Sequence, residues 1–289
     1  MNHRFHLLAC AAVLALAGCG GDAGDAPTDT SSGPGTPTPS TSATTASWPS
    51  AAQNDAAIQG REPSLPATVC ATVSAGLAKN AGGLLDAAVD AATANSQPDT
   101  ARLQAALNAC ASGQAVKLVS GSAGANAFLS GPLTLPPTVT LWIDAGVTLF
   151  ASRNPADFQI AGKNKCGEAA SSDNGCSALI TTSPNGNGVV GDGVIDGRGG
   201  AVLTSGAYAG KLTWWDVGAL TKTVSGASQN NPRLIQVNAG SNFTVYRVTL
   251  QNAPKFHVVT SGVNGVTVWG TKVLKACPLK PSAETVCCW

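Results

Sequence analysis

The fold is decided by the sequence LIQV at Leu234–Val237, which recurs 23 positions later as HVVT at His257–Thr260. A second segment nearby, FTVY at Phe243–Tyr246, recurs at the same interval as VTVW at Val266–Trp269. Two strands that share one period are typical of a solenoid, in which each coil stacks on the previous one. Because the coil contains several strands and no helical segment, the period predicts a parallel β-helix. A β-sandwich is the alternative, but a common period is hard to obtain from that fold.

A short helix is predicted just before the first strands, over Asp99–Cys110. Leu103 and Leu107 share one of its faces, and Asp99 or Thr100 can cap its first turn. Both ends of a β-helix leave strand backbone groups unpaired, and these need to be covered. The position of this helix in the chain predicts that it covers the N-terminal end of the stack.

The first eighteen residues (1–18) are predicted to be a lipoprotein signal peptide. Arg4 provides the positive start and Leu7–Ala17 the apolar run, which is too short to cross a bilayer. The run ends in LAGC at Leu16–Cys19, which resembles the lipobox of bacterial lipoproteins. We therefore expect a diacylglycerol anchor on Cys19, contact with the membrane through that anchor only, and a place at the outer membrane or cell surface. An ordinary export signal on a secreted protein is the alternative.

Residues 19–66 are predicted to form a disordered linker behind the lipidated cysteine. The segment is rich in Gly, Pro, Ser and Thr, as in GPGTPTPS at Gly33–Ser40, and has almost no large apolar side chains. Such a segment buries too little surface to offset the entropy lost on ordering. The folded part is therefore placed at 67–274, and an alanine-rich helix is predicted within it over about 82–92.

The cysteines of an exported chain are free to form disulfides. Cys166 and Cys176 bracket a polar loop and are predicted to pair. A Cys70–Cys110 bond is also compatible with the sequence, although spacing does not fix connectivity. The nine cysteines include no C-x-x-C pair, so neither a zinc site nor a redox motif is indicated.

Charge and glycine patterns argue against nucleic acids and nucleotides as partners. Charged residues make up 11% of the chain, with a net charge of +1, and no polybasic patch is present. GNGVVG at Gly186–Gly191 matches G-x-G-x-x-G, but DGVIDG at Asp192–Gly197 follows it as a strand and turn. A dinucleotide site needs a helix there. We therefore expect no nucleic-acid partner and no cofactor.

Four motifs follow one another along the second half of the chain. They are GVIDGRGG at Gly193–Gly200, the pair at Trp214–Trp215, PRLI at Pro232–Ile235 and NAPKFHV at Asn252–Val258. In this order they resemble glycoside hydrolase family 28, the polygalacturonases, over about 99–274. The resemblance implies an all-β, right-handed parallel β-helix that hydrolyses α-1,4 bonds of polygalacturonate with inversion. It also implies a pectin-type polysaccharide as the partner and a monomer when the fold is complete.

Five residues of these motifs are candidates for chemistry, and each has a simpler interpretation. Asp192 and Asp196 stand beside glycines, where aspartate commonly stabilises turns. Trp214 and Trp215 are expected to pack rather than to bind sugar. His257 can act as an acid or a base, but its motif favours a cleft-wall or hydrogen-bonded role.

No residue is assigned as catalytic, because the motifs that would carry the reaction are absent. Inverting hydrolysis needs a carboxylic acid and a carboxylate base about 6.5–9.5 Å apart. The family places them in an N-T-D segment and a D-D pair, followed by G-H-G and R-I-K segments. None of the four occurs in the sequence. We therefore expect a truncated solenoid that does not hydrolyse galacturonan.

Residues 275–289 contain three cysteines and no strand alternation. They are interpreted as an aberrant tail produced by a frameshift or early stop, with a natural short protein as the alternative. A non-catalytic carbohydrate-binding or surface β-helix lipoprotein is the alternative function. A pectate-lyase-like function is disfavoured because the acidic cluster that would hold Ca²⁺ is absent, and no metal site is expected.

Overall fold

The strands form a solenoid of three parallel sheets. The structure is a computed structural model, and it describes residues 62–86, 88–89 and 96–275. The first sheet contains, in spatial order, β1 (Val69–Ser74), β2 (Ala115–Val119), β5 (Thr140–Ile143), β9 (Gly188–Val190), β13 (Ser241–Tyr246) and β16 (Asn264–Trp269). The second contains β3 (Ala127–Ser130), β6 (Thr148–Ala151), β10 (Val194–Asp196), β14 (Thr249–Gln251) and β17 (Lys272–Leu274). The third contains β4 (Leu133–Leu135), β8 (Ile180–Thr182), β12 (Ile235–Asn238) and β15 (Val258–Ser261). The predicted parallel β-helix is confirmed.

The interval of 23 residues is the register of the last two complete coils. Ile235 pairs with Val258 in the third sheet, and Phe243 pairs with Val266 in the first. Thr249 and Lys272 repeat the interval in the second sheet. The sequence repeat therefore marks residues that stack directly on one another along the solenoid axis.

The interior of the solenoid is one continuous apolar core. Alternate residues of each strand point inward, so that in β13 both Phe243 and Val245 have no exposed surface. Stacked equivalents such as Val189 of β9 and Leu141 of β5 lie in the same row and are also buried. This narrow column of side chains is what holds the coils together.

The helix α1 (Thr100–Ala109) covers the N-terminal end, as predicted. Its apolar face buries Leu103 and Leu107 in the core. Its polar side chains bind the open strand edges: Gln104 accepts from the Thr134 amide and donates to the Thr134 carbonyl, at 2.8 and 2.9 Å. The prediction that Asp99 or Thr100 caps the helix through its side chain was wrong. The Asp99 carboxylate instead accepts from the Leu129 amide of β3 at 2.7 Å, because that amide lies on an uncovered edge.

Residues 62–69 run along the outside of the first sheet. The Tyr246 hydroxyl of β13 donates to the Glu62 carboxylate at 2.7 Å, while Val69 pairs with Ala115 of β2. Four strand spacings of about 4.8 Å separate β1 from β13, or about 19 Å. The seven steps from Glu62 to Val69 reach at most about 25 Å. This segment, which we call the strap, contains no helix or strand before Val69, and Pro63 and Pro66 favour an extended conformation.

Two long excursions leave the stack between β6 and β8 and between β10 and β12. They contain α2 (Pro155–Phe158), β7 (Ala169–Ala170), α3 (Trp214–Thr221) and β11 (Ser228–Gln229). An antiparallel pair of β7 and β11 joins them. The structure contains the disulfides Cys166–Cys176, within the first excursion, and Cys70–Cys110, between β1 and the end of α1. The two excursions are thus joined to each other outside the stack.

Several expectations fall on residues that the structure does not describe. The signal peptide, Cys19, most of the linker and the tail from residue 276 lie outside the described ranges. The helix predicted over about 82–92 is described at 82–86 and 88–89, where the chain forms turns. Gly83 has a φ of 77° there, a conformation that ends helices rather than continuing them. Among the described helices, none is both long and apolar enough to cross a membrane.

Candidate functional site

The turn Asn252–Phe256, between β14 and β15, is held by the residues of the glycine-rich motif. Asn252 adopts a left-handed conformation with a φ of 52°, and its side-chain amide donates to both oxygens of Asp196 at 3.1 Å. Asp196 is buried and also accepts from Gln251 and from the Arg198 amide. The aspartate of GVIDGRGG therefore fixes the shape of a turn one coil further along.

Trp215 fixes the same turn from the side. Its indole Nε1 donates to the Ala253 carbonyl at 2.9 Å. The ring lies so close to Gly199 and Gly200 that a Cβ at either residue would come within 2.2 and 2.8 Å of ring atoms. These two glycines are therefore required for close packing against the Trp215 ring.

Trp214 and Asn231 complete the support beneath the turn. Trp214 is fully buried and makes an edge-to-face contact with Phe158, with centroids 6.1 Å apart. The buried Asn231 amide donates to the Trp214 carbonyl at 2.6 Å and to the Pro254 carbonyl at 3.4 Å. The turn thus rests on a base of buried apolar and hydrogen-bonded side chains, which favours a fixed orientation for the side chains it presents.

Three charged side chains meet above this base, and we call them the basic cluster: Asp173, Arg233 and Lys255. The Arg233 Nη2 and the Lys255 Nζ lie 2.5 and 2.6 Å from the same oxygen, Oδ2 of Asp173. Their side chains are 22%, 10% and 20% exposed for Arg233, Lys255 and Asp173. Two cations therefore share one carboxylate in a partly buried setting, with an excess of one positive charge.

The three members of the cluster come from three different segments. Asp173 lies in the loop closed by the Cys166–Cys176 disulfide, and the buried Asn230 carbonyl oxygen Oδ1 accepts from the next two amides of that loop, at 3.1 and 2.8 Å. Arg233 precedes β12, and Lys255 precedes β15. Phe256, beside Lys255, is 51% exposed, and the Lys255 Nζ lies 5.5 Å from its ring centroid. Cations beside an exposed aromatic ring can bind an anion that also has an apolar face.

The other sequence candidates have structural roles. Asp192 is exposed and forms a two-point ion pair with Arg247, at 2.7 Å for both contacts. His257 is half buried, and its burial lowers its pKa below the usual 6.5, partly offset by a hydrogen bond to the Leu274 backbone. Its Nε2 has no hydrogen-bond partner among the described residues.

Sequence reasoning did not find the basic cluster. Asp173 is 60 residues from Arg233 and 82 from Lys255, so no local pattern connects them. Both cations lie inside motifs of the sequence, PRLI and NAPKFHV, but neither motif indicates which carboxylate its cation contacts. In the described part of the chain, no group of three or more His, Cys, Asp or Glu side chains is arranged to hold a metal ion.

Comparisons with known proteins place these features in a family. The model of "Glycosyl hydrolases family 28" matches residues 133–277. The chain is 50% identical over 278 residues to a polygalacturonase of Ralstonia solanacearum, a match that covers 95% of this chain and 47% of that protein. It is 47% identical over 181 residues to an endo-polygalacturonase of Pectobacterium carotovorum, covering 62% of this chain and 43% of the relative.

A solved structure supports the same placement. The fold resembles that of a polygalacturonase from Erwinia carotovora with a TM-score of 0.62 and 39% identity, over 75% of this chain and 50% of that one. The chain spans about half the length of the curated relatives it matches.

Proposed function

Because the chain belongs to glycosyl hydrolase family 28, we propose that it takes part in the recognition of polygalacturonate, the α-1,4-linked chain of pectin, in a hydrolase of that polymer. The observation that carries this proposal is the 50% identity to a polygalacturonase across 278 residues. The motif residues that match the family, among them Asp196 and Trp215, build the turn beneath the basic cluster. Their structural use supports a shared site architecture as well as a shared fold.

For the chain itself we propose substrate binding without hydrolysis. Inversion at a glycosidic bond requires two carboxyl groups that are open to the substrate. The aspartates of the basic cluster and of the family motifs and their flanks are all engaged: Asp173 with two cations, Asp192 with Arg247, Asp196 with amides in a buried position, and Asp216 with Thr213 at the start of α3. None of the four is placed to deliver a proton or to activate water.

The test combines retention and product release. The full 289-residue chain would be passed over immobilised polygalacturonate, with immobilised amylose as the uncharged control, and reducing ends released from soluble polygalacturonate would be measured. Retention on polygalacturonate alone, without new reducing ends, supports both parts of the proposal. New reducing ends would overturn the non-hydrolytic part, and no retention on polygalacturonate would overturn recognition of this polymer.

We also propose that the chain is exported and anchored through a lipid on Cys19. The support is the lipobox-like LAGC sequence behind a short apolar run. Labelling expressing cells with a radioactive fatty acid should mark the wild-type protein and leave Cys19→Ser unlabelled. Equal labelling of the two, or none of the wild type, would contradict the anchor.

A further inference from the structure

We propose that the basic cluster is a subsite for one uronate carboxylate, with Phe256 as the platform for the sugar ring that carries it. The proposal deepens the function proposed above and depends on it. It assigns the contact to Arg233 and Lys255, with Asp173 as an internal carboxylate that stays bound to both cations and neutralises one of their two charges.

The charge balance of the cluster favours a second anion. Asp173 supplies one negative charge to two cations, and both cations use the same carboxylate oxygen, Oδ2. Side-chain exposure of 10–22% reduces their contact with water, so that the excess positive charge is poorly screened by solvent. A ligand carboxylate would neutralise the cluster.

Unused hydrogen-bond donors are present on both cations. Arg233 has five N–H groups, and its Nε is buried without a hydrogen-bond partner in the described part of the chain. Lys255 uses two of its three ammonium protons, on Asp173 at 2.6 Å and on the Gln229 carbonyl at 3.3 Å. The cluster therefore has donors left over for a carboxylate after its internal contacts are counted.

Phe256 makes the subsite specific for a charged sugar rather than for any anion. Its side chain is 51% exposed although it lies next to a buried turn. The C–H face of a pyranose ring is apolar and can lie against an aromatic ring, whereas a phosphate or sulfate cannot. Lys255 and Phe256 are neighbours in sequence, so one turn presents the cation and the platform together.

Two ligands that differ only in charge distinguish the contact of the cations with the carboxylate from the contact of Phe256 with the sugar ring. The probes are α-1,4-tetragalacturonate and its fully methyl-esterified form, titrated into the full chain by calorimetry at low salt. The acid form should bind more tightly than the ester, and added NaCl should reduce that difference because it screens the cations. Lys255→Gln should weaken the acid form about tenfold, the loss expected for one charge-assisted hydrogen bond, and leave the ester unchanged. Phe256→Ala should weaken both forms.

Asp173→Asn provides the sharpest variant, because a subsite and a structural ion pair predict different results. If the ligand carboxylate enters beside Asp173, removal of the negative charge of Asp173 should tighten binding of the acid form severalfold, because the two cations are then uncompensated. If the cluster is only structural, the variant should lower stability and leave binding unchanged. This variant also decides the question if Lys255→Gln does not fold. Lys211→Gln, at an exposed lysine outside the cluster, is the matched control and should behave as wild type.

Different results would overturn the subsite and the recognition of galacturonan. Failure of the wild-type chain to bind either probe would overturn both. Binding of tetragalacturonate that Lys255→Gln and Asp173→Asn change no more than Lys211→Gln would overturn the subsite alone and leave galacturonan recognition standing. Opposite shifts in Lys255→Gln and Asp173→Asn, with the ester unaffected, are the result expected.

Discussion

The last two described coils of the solenoid have similar sequences but very different surroundings, and the last coil differs likewise from the first. In β13, Phe243 and Val245 are fully buried, whereas their partners one coil later in β16, Val266 and Val268, are 41% and 59% exposed. At the opposite end, β3 is buried along its whole length, and Leu77 and Leu85 of the segment before α1 belong to the same apolar cluster as its residue Leu129. The alternating pattern of a strand therefore predicts that it will pair, but its burial depends on what covers the next position in the stack.

The two ends also differ in how their strands are covered. At the first coil, side chains of α1 and of Asp99 before it accept hydrogen bonds from amides of β3, of β4 and of Gly131 between them. At the described part of the last coil, strands β15 to β17 expose most of their side chains. We therefore expect stability to be concentrated at the helix-covered end.

The largest expected effect comes from removing a core side chain under the helix. Leu103→Ala leaves a cavity at a fully buried site and should lower the free energy of unfolding by about 2–5 kcal/mol. Val268→Ala is the matched change in the last coil and should alter it by about 0.5 kcal/mol or less. Urea unfolding of both variants measures the difference, and equal losses would refute the contrast.

A smaller loss should follow from breaking the charged contact between helix and strand edge. Asp99→Ala removes the acceptor of the Leu129 amide and the ion pair with Arg102 at 2.6 Å. We expect a loss of about 1.5–3 kcal/mol, as for hydrogen bonds to charged groups. Asp192→Ala breaks an ion pair in which both side chains are 43% exposed and should cost at most about 1 kcal/mol. A loss in Asp192→Ala as large as that in Asp99→Ala would show that burial of the contact is not what matters.

The strap should make the stability of β1, in the first coil, depend on a contact with β13, four strands away. The hydrogen bond to Glu62 raises the pKa of Tyr246 above its usual 10.0, so the phenol stays protonated and remains a donor at neutral pH. Tyr246→Phe removes only that hydroxyl. Amides of β1 should then exchange with deuterium faster, because β1 is attached to the strap, while those of β5 should be unaffected. Unchanged exchange in β1 would mean that the strap is not fixed by this bond.

The smallest effect should be a pH dependence at the less covered end. Burial lowers the pKa of His257 below 6.5 in the folded state, so protons bind the unfolded chain more readily. Its contribution to stability is fully present above pH 6.5 and is lost as the pH falls through the lowered value. Unfolding measured at pH 8 and pH 5.5 should show a smaller decline in His257→Gln than in wild type, and an equal decline would exclude His257 as its source.

The fold could be predicted from the sequence because the patterns that indicate it are local and periodic. The 23-residue repeat gave the register of Phe243 on Val266 directly, and Leu103 with Leu107 gave the covering helix. Prediction from the sequence failed where long-range contacts decide the structure. The Asp99 carboxylate is used by a strand edge 30 residues away. The Tyr246–Glu62 bond spans 184 residues, and neither contact leaves a local pattern in the sequence.

Long-range contacts also explain why the sequence located only part of the candidate site. The motifs located the turn at Asn252–Phe256, but the charge partner of Lys255 lies in a loop of a different excursion, where Asp173 is one polar residue among many. For the alanine-rich segment over about 82–92, a local pattern predicted a helix that the described residues do not form. Its composition favours a helix, whereas Gly82 and Gly83 place a turn in its described part.

Hydrogen exchange of the full chain, with and without tetragalacturonate, tests the central claim most directly. That claim is that the turns before β12 and β15 recognise galacturonan while the helix-covered end supplies stability. We expect slower exchange on ligand addition in peptides covering 230–236 and 252–258, with no change in α1 and β2. Protection that appears only elsewhere in the chain, or nowhere, would contradict it.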